Sequence, residues 1–274
     1  MTYPAPFRRR RVPTGAVALL LAILLSLAGC SDDDDGPTGP GQPEFDWSGA
    51  IETGDRLEIR GVNGSIVAST VSGRTATVSG QFRDNGGDAS TVDVQVVTHS
   101  GGVTICAIYP DVPGEPPNSC EPDGGEQNAD SPVTIDFLIQ MPADVEFTAV
   151  TVNGSLTADG LQRGANLVTV NGNVSAATTS LLTVATVNGS VDATLDAVTL
   201  SDPWALATVN GGVTARLPES VDATVSGTVA NGAVFSDFPI TETAPGVWSG
   251  TIGSGGPAIV MSVVNGSLSL IRIP

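Results

Sequence analysis

Residues 182–195 read LTVATVNGSVDATL, and this stretch contains the pattern that decides the fold. Its centre, Val187-Asn188-Gly189, belongs to a series of Val-Asn-Gly tripeptides, with one Ala-Asn-Gly variant. From Asn153 onward the asparagines are 18, 17, 22, 21 and 34 residues apart, and 90 residues separate Asn63 from Asn153. Self-similarity at such a period is the signature of a repeat architecture. The repeated pairs are Asn63-Gly64, Asn153-Gly154, Asn171-Gly172, Asn188-Gly189, Asn210-Gly211, Asn231-Gly232 and Asn265-Gly266.

The residues that follow each asparagine alternate between apolar and polar. In the quoted copy, Val191 and Ala193 lie three and five residues after Asn188, and Asp192 lies between them. Because side chains of a strand point alternately to its two faces, each unit is predicted to contain a strand with one apolar face and one solvent-exposed face. The predicted inward column, three residues after each asparagine, is Ile66, Leu156, Val174, Val191, Val213, Val234 and Leu268.

Two all-β architectures are compatible with this pattern. Asn-Gly between alternating runs is a strong signal for a β-hairpin, so a hairpin meander or a β-sandwich is the alternative. The repeat of 17–22 residues favours a parallel β-solenoid (β-helix), with about three short strands in each coil and an Asn-Gly turn. In that fold we expect the side-chain amide of each asparagine to pair with those above and below it. We expect the glycine to provide a left-handed turn.

The N-terminus has the features of a bacterial lipoprotein. Four arginines, Arg8 to Arg11, precede an apolar run of about a dozen residues, which is too short for the roughly 20 residues of a membrane-spanning helix. Residues 27–30 read LAGC, which resembles a lipobox. We therefore predict a signal peptide at 1–29, lipidation of Cys30, a flexible acidic and Gly/Pro-rich tether at 30–46, and a β-repeat domain at 47–274.

Charge and location restrict the partners. Removal of the signal peptide leaves 7 basic residues against 29 acidic ones, a net charge of about −22. Binding to nucleic acid needs clustered Lys and Arg, so that class of partner is excluded. The expected contacts are the membrane, through lipidated Cys30, and glycans or envelope proteins; the oligomeric state stays open. Ser31 rather than Asp after Cys30 is typical of an outer-membrane lipoprotein, on either face of that membrane.

Three cysteines suit an oxidising compartment. With Cys30 assigned to the lipid, Cys106 and Cys120 are left as a predicted disulfide around an inserted Pro/Gly-rich loop. Two free thiols are the alternative. The chain has one histidine, His99, so we expect no metal site formed by this pair.

Four motifs resemble a known family: Phe45-x-Trp47-Ser48-Gly49, residues 57–65 (LEIRGVNGS), residues 101–110 (GGVTICAIYP) and the Thr-Val-Asn-Gly repeats. Together they resemble the bacterial adhesin-like family of β-strand-repeat lipoproteins, a domain of unknown function named for its similarity to the heads of auto-transporter adhesins. The resemblance covers about residues 45–274. It implies a β-solenoid and an adhesive role, and it implies no catalytic residues.

The sequence contains no nucleophile elbow, Walker loop, dinucleotide fingerprint or His/Cys cluster. We therefore expect no enzyme activity and no cofactor. The expected function is that of a non-catalytic, lipid-anchored envelope protein, used for surface adhesion or as a structural interaction module. A carbohydrate-active envelope enzyme on a β-helix scaffold is one alternative, and an accessory of envelope-stress signalling is another.

Overall fold

The computed structural model describes residues 44–274. The predicted signal peptide, Cys30 and the predicted tether up to residue 43 lie outside the described residues. The described chain is all-β apart from one 3₁₀ turn at Ala89–Thr91, and in it no helix has the length and apolar character needed to cross a membrane. The strands are β1 (Glu44–Ala50), β2 (Arg56–Arg60), β3 (Ile66–Val71), β4 (Thr75–Arg83), β5 (Asp93–His99), β6 (Gly102–Ile108), β7 (Thr134–Pro142), β8 (Glu146–Val150), β9 (Leu156–Leu161), β10 (Ala165–Asn171), β11 (Val174–Thr178), β12 (Leu182–Asn188), β13 (Val191–Leu195), β14 (Trp204–Asn210), β15 (Val213–Pro218), β16 (Ala223–Asn231), β17 (Val234–Ser236), β18 (Thr241–Ala244), β19 (Val247–Ile252), β20 (Ala258–Asn265) and β21 (Leu268–Ile273).

The strands form two large mixed sheets, and neither closes into a barrel. Sheet A has ten strands in the order β1-β4-β7-β3-β9-β11-β13-β15-β21-β17. Sheet B has eleven strands in the order β18-β19-β16-β20-β14-β12-β10-β8-β2-β6-β5. The prediction of an all-β fold is confirmed. The mostly parallel pairing is compatible with the predicted solenoid and the two sheets with the alternative sandwich.

In the middle of the molecule the chain repeats one simple unit: a strand of sheet B, an Asn-Gly corner and a strand of sheet A. Strands β10, β12 and β14 pair in parallel, and Leu167, Val184 and Leu206 occupy equivalent places in them. Strands β11, β13 and β15 pair in the same way in sheet A. Each unit therefore contains two strands, and the expectation of about three was wrong. The strands on either side of Asn-Gly lie in different sheets, so these pairs form corners and not hairpin turns.

The units do not follow one another in space as they do in the chain. The Asn265 unit consists of β20, which ends at Asn265, and β21, which follows it. These two strands lie between the Asn210 unit and the Asn231 unit, β20 in sheet B and β21 in sheet A. A spacing of 34 is about twice 17 and predicts two coils between Asn231 and Asn265, but the intervening residues do not form two further coils. They include an antiparallel hairpin of β18 and β19 that packs on the edge of β16.

Antiparallel strands complete the N-terminal end as well. Strands β4 and β1 extend sheet A beyond β7, and β5 extends sheet B beyond β6. The first strand begins at Glu44, so it includes the last three residues of the tether predicted at 30–46. The reason is that Phe45 and Trp47 alternate with polar residues and pack against the core.

The buried side chains of both sheets form one hydrophobic cluster. The predicted alternation is confirmed in the parallel units, where Val191 and Ala193 are buried and Asp192 between them is half-buried. The small and β-branched side chains of these units fill the narrow space between the sheets. Larger ones, such as Phe137 and Phe147, are buried near the N-terminal end, and Trp204 is buried within the repeat region.

Candidate functional site

The seven repeated asparagines lie in one column along the corner between the sheets. In six of the seven, the side-chain amide Nδ2 donates to the Oδ1 of the neighbouring asparagine in the column at 2.8–3.0 Å. At one end, Nδ2 of Asn63 donates to the backbone oxygens of Ser131 and Val133. At the other end, Nδ2 of Asn231 donates to Asn265, and no side chain among residues 44–274 donates to its Oδ1. The order in space is Asn63, Asn153, Asn171, Asn188, Asn210, Asn265 and Asn231.

The glycines beside this column are required chiefly by the close approach of neighbouring backbones. A Cβ on Gly172 would overlap the carbonyl oxygen of Gly154, and the same relation holds from Gly154 to Gly64 and onward along the column. Gly64, Gly211, Gly232 and Gly266 have positive φ angles. Gly154, Gly172 and Gly189 do not, so the expectation of a left-handed turn in every unit is corrected for these three.

A column of buried threonines lies two residues before the asparagines. The Oγ1 hydroxyls of Thr169, Thr186 and Thr208 donate to the backbone oxygens of Gly154, Gly172 and Gly189 at 2.7–2.9 Å. These side chains are at most 4% exposed. Each hydroxyl thus satisfies a carbonyl group of the neighbouring corner, which links the units structurally. The recurring Thr-Val-Asn-Gly tetrapeptide is the sequence signal for this column of threonines.

The two predicted disulfide cysteines are joined. Cys106 and Cys120 form a disulfide with a Cα–Cα distance of 5.6 Å. Cys106 pairs in register with Arg60 and is buried on the outer face of sheet B, so the bond holds the loop after β6 against that face. Nearby, the hydroxyl of Tyr109 donates to the backbone oxygen of Val133 at 2.9 Å, and burial raises the pKa of Tyr109 to about 12.

A charged cluster lies beneath this loop. Glu58 is 1% exposed, and its carboxylate accepts from Arg60 Nη1 at 3.0 Å, from Thr104 Oγ1 at 3.1 Å and from the backbone N–H of Asp123 at 3.1 Å. Asp123 also forms an ion pair with Arg56. Because the segment that follows Cys120 supplies one of these donors, the cluster fixes that segment to the sheet.

The outer face of sheet A carries an open group of polar side chains. Two rows cross β1, β4 and β7: Asp46, Ser79 and Leu138 form one, and Ser48, Thr77 and Gln140 form the other. They line a groove of about 450 Å³. The five polar side chains make no side-chain hydrogen bond within residues 44–274, and Leu138 is 55% exposed.

Elsewhere on the same face, two ion pairs link neighbouring strands. Arg216 binds Asp192 through two hydrogen bonds of 2.9 and 2.8 Å, and this contact raises the pKa of Arg216. Asp136 accepts from the hydroxyl of Ser65 and forms an ion pair with Arg83. The groove on β1, β4 and β7 is therefore a place on this face where five polar side chains lie together without a side-chain partner among the described residues.

Comparison with known proteins gives structural neighbours alone. Neither a protein-family model nor a curated protein matches the chain. A "putative cell adhesion protein" from Clostridium sporogenes is 12% identical, with 84% of this chain and 100% of that chain covered and a TM-score of 0.48. A "putative adhesin" from Bacteroides fragilis is 10% identical (85% and 99% covered, TM-score 0.31). One from Parabacteroides merdae is 9% identical (83% and 96% covered, TM-score 0.27).

Proposed function

We propose that the chain is a non-catalytic, lipid-anchored protein of the bacterial cell envelope, and that its β domain is a surface adhesion or structural interaction module. In this proposal the parallel units form a β-solenoid with two strands in each coil, and the antiparallel strands cap its ends. The lipidated Cys30 joins the domain to the membrane, and the outer membrane is the expected location.

The observation that carries the proposal is the groove on the outer face of sheet A. Its polar side chains come from β4 and β7, which are paired on both sides, and from β1, which is paired with β4, so the backbone that carries them is in place before any partner arrives. A preorganised surface loses little conformational entropy on binding. An open, shallow face of this kind fits an extended partner better than a small substrate that must be enclosed.

The chemistry of the groove favours an uncharged, hydroxyl-rich partner. Hydroxyl, amide and carboxylate groups can donate to and accept from sugar hydroxyls, and Leu138 offers an apolar contact. A net charge of about −22 on the chain without its signal peptide opposes acidic polymers. Neutral glycans and polar surfaces of envelope proteins are therefore the proposed partner classes.

Binding to a glycan array tests the adhesive role. The full chain should bind a subset of neutral glycans, and Thr77→Lys with Ser79→Lys should reduce that binding at least about tenfold by filling the groove. The matched control is Asn166→Lys with Thr183→Lys, which adds the same charge on exposed positions of sheet B. Equal loss in both double variants would remove the groove from the proposal, and release of shorter glycans during the assay would contradict a non-catalytic role.

Fractionation of cells tests the anchor. The wild-type chain should sediment with membranes, and Cys30→Ser should move it to the soluble fraction, because two or more acyl chains are needed for stable anchoring. Cys106→Ala with Cys120→Ala is the control and should leave the protein on the membrane. Unchanged fractionation of Cys30→Ser would disprove lipid anchoring without bearing on the groove.

A further inference from the structure

Strand β1 forms a long, regular edge of sheet A. It pairs with β4 over seven residues, and no other described strand lies on its opposite side. The edges at the C-terminal end are shorter, with three residues in β17 and four in β18. Proteins protect exposed edges with short strands, charged side chains, Pro or bulges. Strand β1 is seven residues long without Pro or a bulge, and its two charged residues, Glu44 and Asp46, lie in its first half. It is therefore open to pairing with a further strand.

The backbone groups available at this edge follow from one hydrogen bond. The N–H of Ile51 donates to the oxygen of Arg74 at 3.0 Å, so the odd-numbered residues of β1 bond to β4. The N–H and C=O groups of the even-numbered residues then point away from the sheet. These are Glu44, Asp46, Ser48 and Ala50.

The side chains of the odd-numbered residues point toward the core, and they are incompletely covered. Phe45 and Trp47 pack against the core and remain half-buried in its last row. The ring of Trp47 lies over Gly49, where a Cβ would overlap it. A further strand would cover both aromatic rings in addition to satisfying the backbone.

We propose that the partner at this edge is β1 of a second copy of the chain, paired antiparallel about a twofold axis at Trp47. Glu44 then lies opposite Ala50 of the partner subunit, and Asp46 lies opposite Ser48 of the partner subunit. All four even-numbered residues pair in both copies, which gives about eight hydrogen bonds. Phe45 faces Gly49 of the partner subunit, and the two Trp47 rings meet at the axis.

Charge selects this register. A shift of two residues in one direction places Asp46 opposite Asp46 of the partner subunit, and like charges directly opposite are unfavourable. A shift in the other direction leaves Glu44 unpaired and loses two of the hydrogen bonds. The chosen register keeps every carboxylate opposite a neutral residue and uses the whole strand.

The pairing makes one continuous sheet from the two copies of sheet A. The row of Leu138, Ser79 and Asp46 then continues into Ser48, Thr77 and Gln140 of the partner subunit. Two short grooves become one longer surface with twofold symmetry. This inference does not depend on the proposed adhesive role, since a dimer can form whether or not the groove binds a glycan.

Sedimentation equilibrium of the full chain in a density-matched detergent tests the dimer. The wild type should dimerise in the micromolar range. Ser48→Pro removes an N–H that faces away from the sheet, a position where an edge strand tolerates proline, so it should be monomeric with an unchanged circular dichroism spectrum. Ser48→Ala keeps the N–H and should remain a dimer. A wild type that is monomeric at these concentrations, or a Ser48→Pro variant that still dimerises, would overturn the proposal.

A charge exchange tests the register independently of proline. Ser48→Asp places two aspartates opposite each other on both sides of the axis and should weaken dimerisation by roughly tenfold. Addition of Asp46→Ser to that variant returns each carboxylate to a position opposite serine and should restore the wild-type dissociation constant. Equal dissociation constants for the single and the double variant would mean that the copies pair in another register or through another surface, and would overturn the proposal.

Discussion

The repeat units in the middle of the molecule and the N-terminal end use the same two sheets but are stabilised differently. In the middle, each unit contacts near-identical neighbours 17 to 22 residues away, through the asparagine column and the buried threonines. At the N-terminal end, segments far apart in sequence meet, and a disulfide and the buried Glu58 cluster hold them. Repetition stabilises the first region, and individual cross-links stabilise the second. The following changes test that distinction, from the largest expected effect to the smallest.

The largest effect is expected from a charge in the core of a repeat unit. Val191 is 2% exposed, and Val191→Asp would bury a carboxylate without a partner. We expect a loss of at least about 4 kcal/mol in the free energy of unfolding, measured by urea denaturation. Thr157→Asp, on an exposed outward position of β9, is the control and should lose less than about 0.5 kcal/mol. Similar losses for the two variants would mean that the inward column does not form the core.

The next effect concerns the N-terminal end. Thirteen residues lie between Cys106 and Cys120, and the loop-entropy relation gives roughly 3 kcal/mol for their disulfide. In Cys106→Ala with Cys120→Ala we expect faster hydrogen exchange in β5, β6 and the covering loop, with little change in β12 and β13. Exchange that accelerates equally in the repeat units would show that the two regions unfold as one and that the distinction between them fails.

A single methyl group at a corner should reveal the close packing of the middle units. Gly172→Ala would bring a Cβ into the carbonyl of Gly154, and we expect a loss of roughly 2 kcal/mol. Gly124, in the segment after Cys120, offers a matched control, because no atom beyond its chain neighbours lies within 4 Å of its Cβ position. Gly124→Ala should leave the melting temperature unchanged. An unchanged melting temperature for Gly172→Ala would show that the units can move apart.

The asparagine column should contribute in proportion to the hydrogen bonds that each member makes. Asn188 donates to Asn171 and accepts from Asn210, both at 2.8 Å, and Asn188→Ala should cost about 1 kcal/mol. Asn231 at the end has one such bond, so Asn231→Ala should cost about half as much. Thermal unfolding of both variants measures the difference. Equal costs would indicate that the column adds no stability beyond that of the backbone ladders.

The smallest effect is expected on the outer face of sheet A. The Asp192–Arg216 pair is about 41% exposed on both sides, so Asp192→Asn should cost about 0.5 kcal/mol. The difference from the wild type should shrink in 1 M salt, which screens exposed charges. A loss as large as that of Val191→Asp would mean that the strand phase is wrong.

Local patterns predicted the parallel units well, because the properties involved depend on neighbours in sequence. The alternation around Val191 gave the correct buried face, and the repeated asparagines indicated a column. The number of strands in a unit was not predicted, since the second corner of each unit carries no repeated motif. Between Thr178 and Leu182, for example, the chain changes direction through Thr179, Ser180 and Leu181, without a glycine.

The features of the two ends depend on contacts between distant segments, and sequence periodicity does not report these. Glu58 lies between Leu57 and Ile59 and has the pattern of a solvated outward residue. It is buried because a loop more than 60 residues later covers it. The position of the Asn265 unit likewise depends on which strand β20 joins. The groove is a joint product of β1, β4 and β7, and no single one of these strands carries a motif for it.

The placement of the Asn265 unit also has a consequence for how the chain matures. Strands β20 and β21 come after the Asn231 unit in sequence, yet they fill the gap between that unit and the Asn210 unit. A chain that has been synthesised only as far as β19 therefore lacks the neighbour with which β16 pairs in parallel. Contacts of such long sequence separation form late, because loop closure must precede them. Arrival of the final strands thus acts as a completion step that joins the C-terminal cap to the rest of the domain.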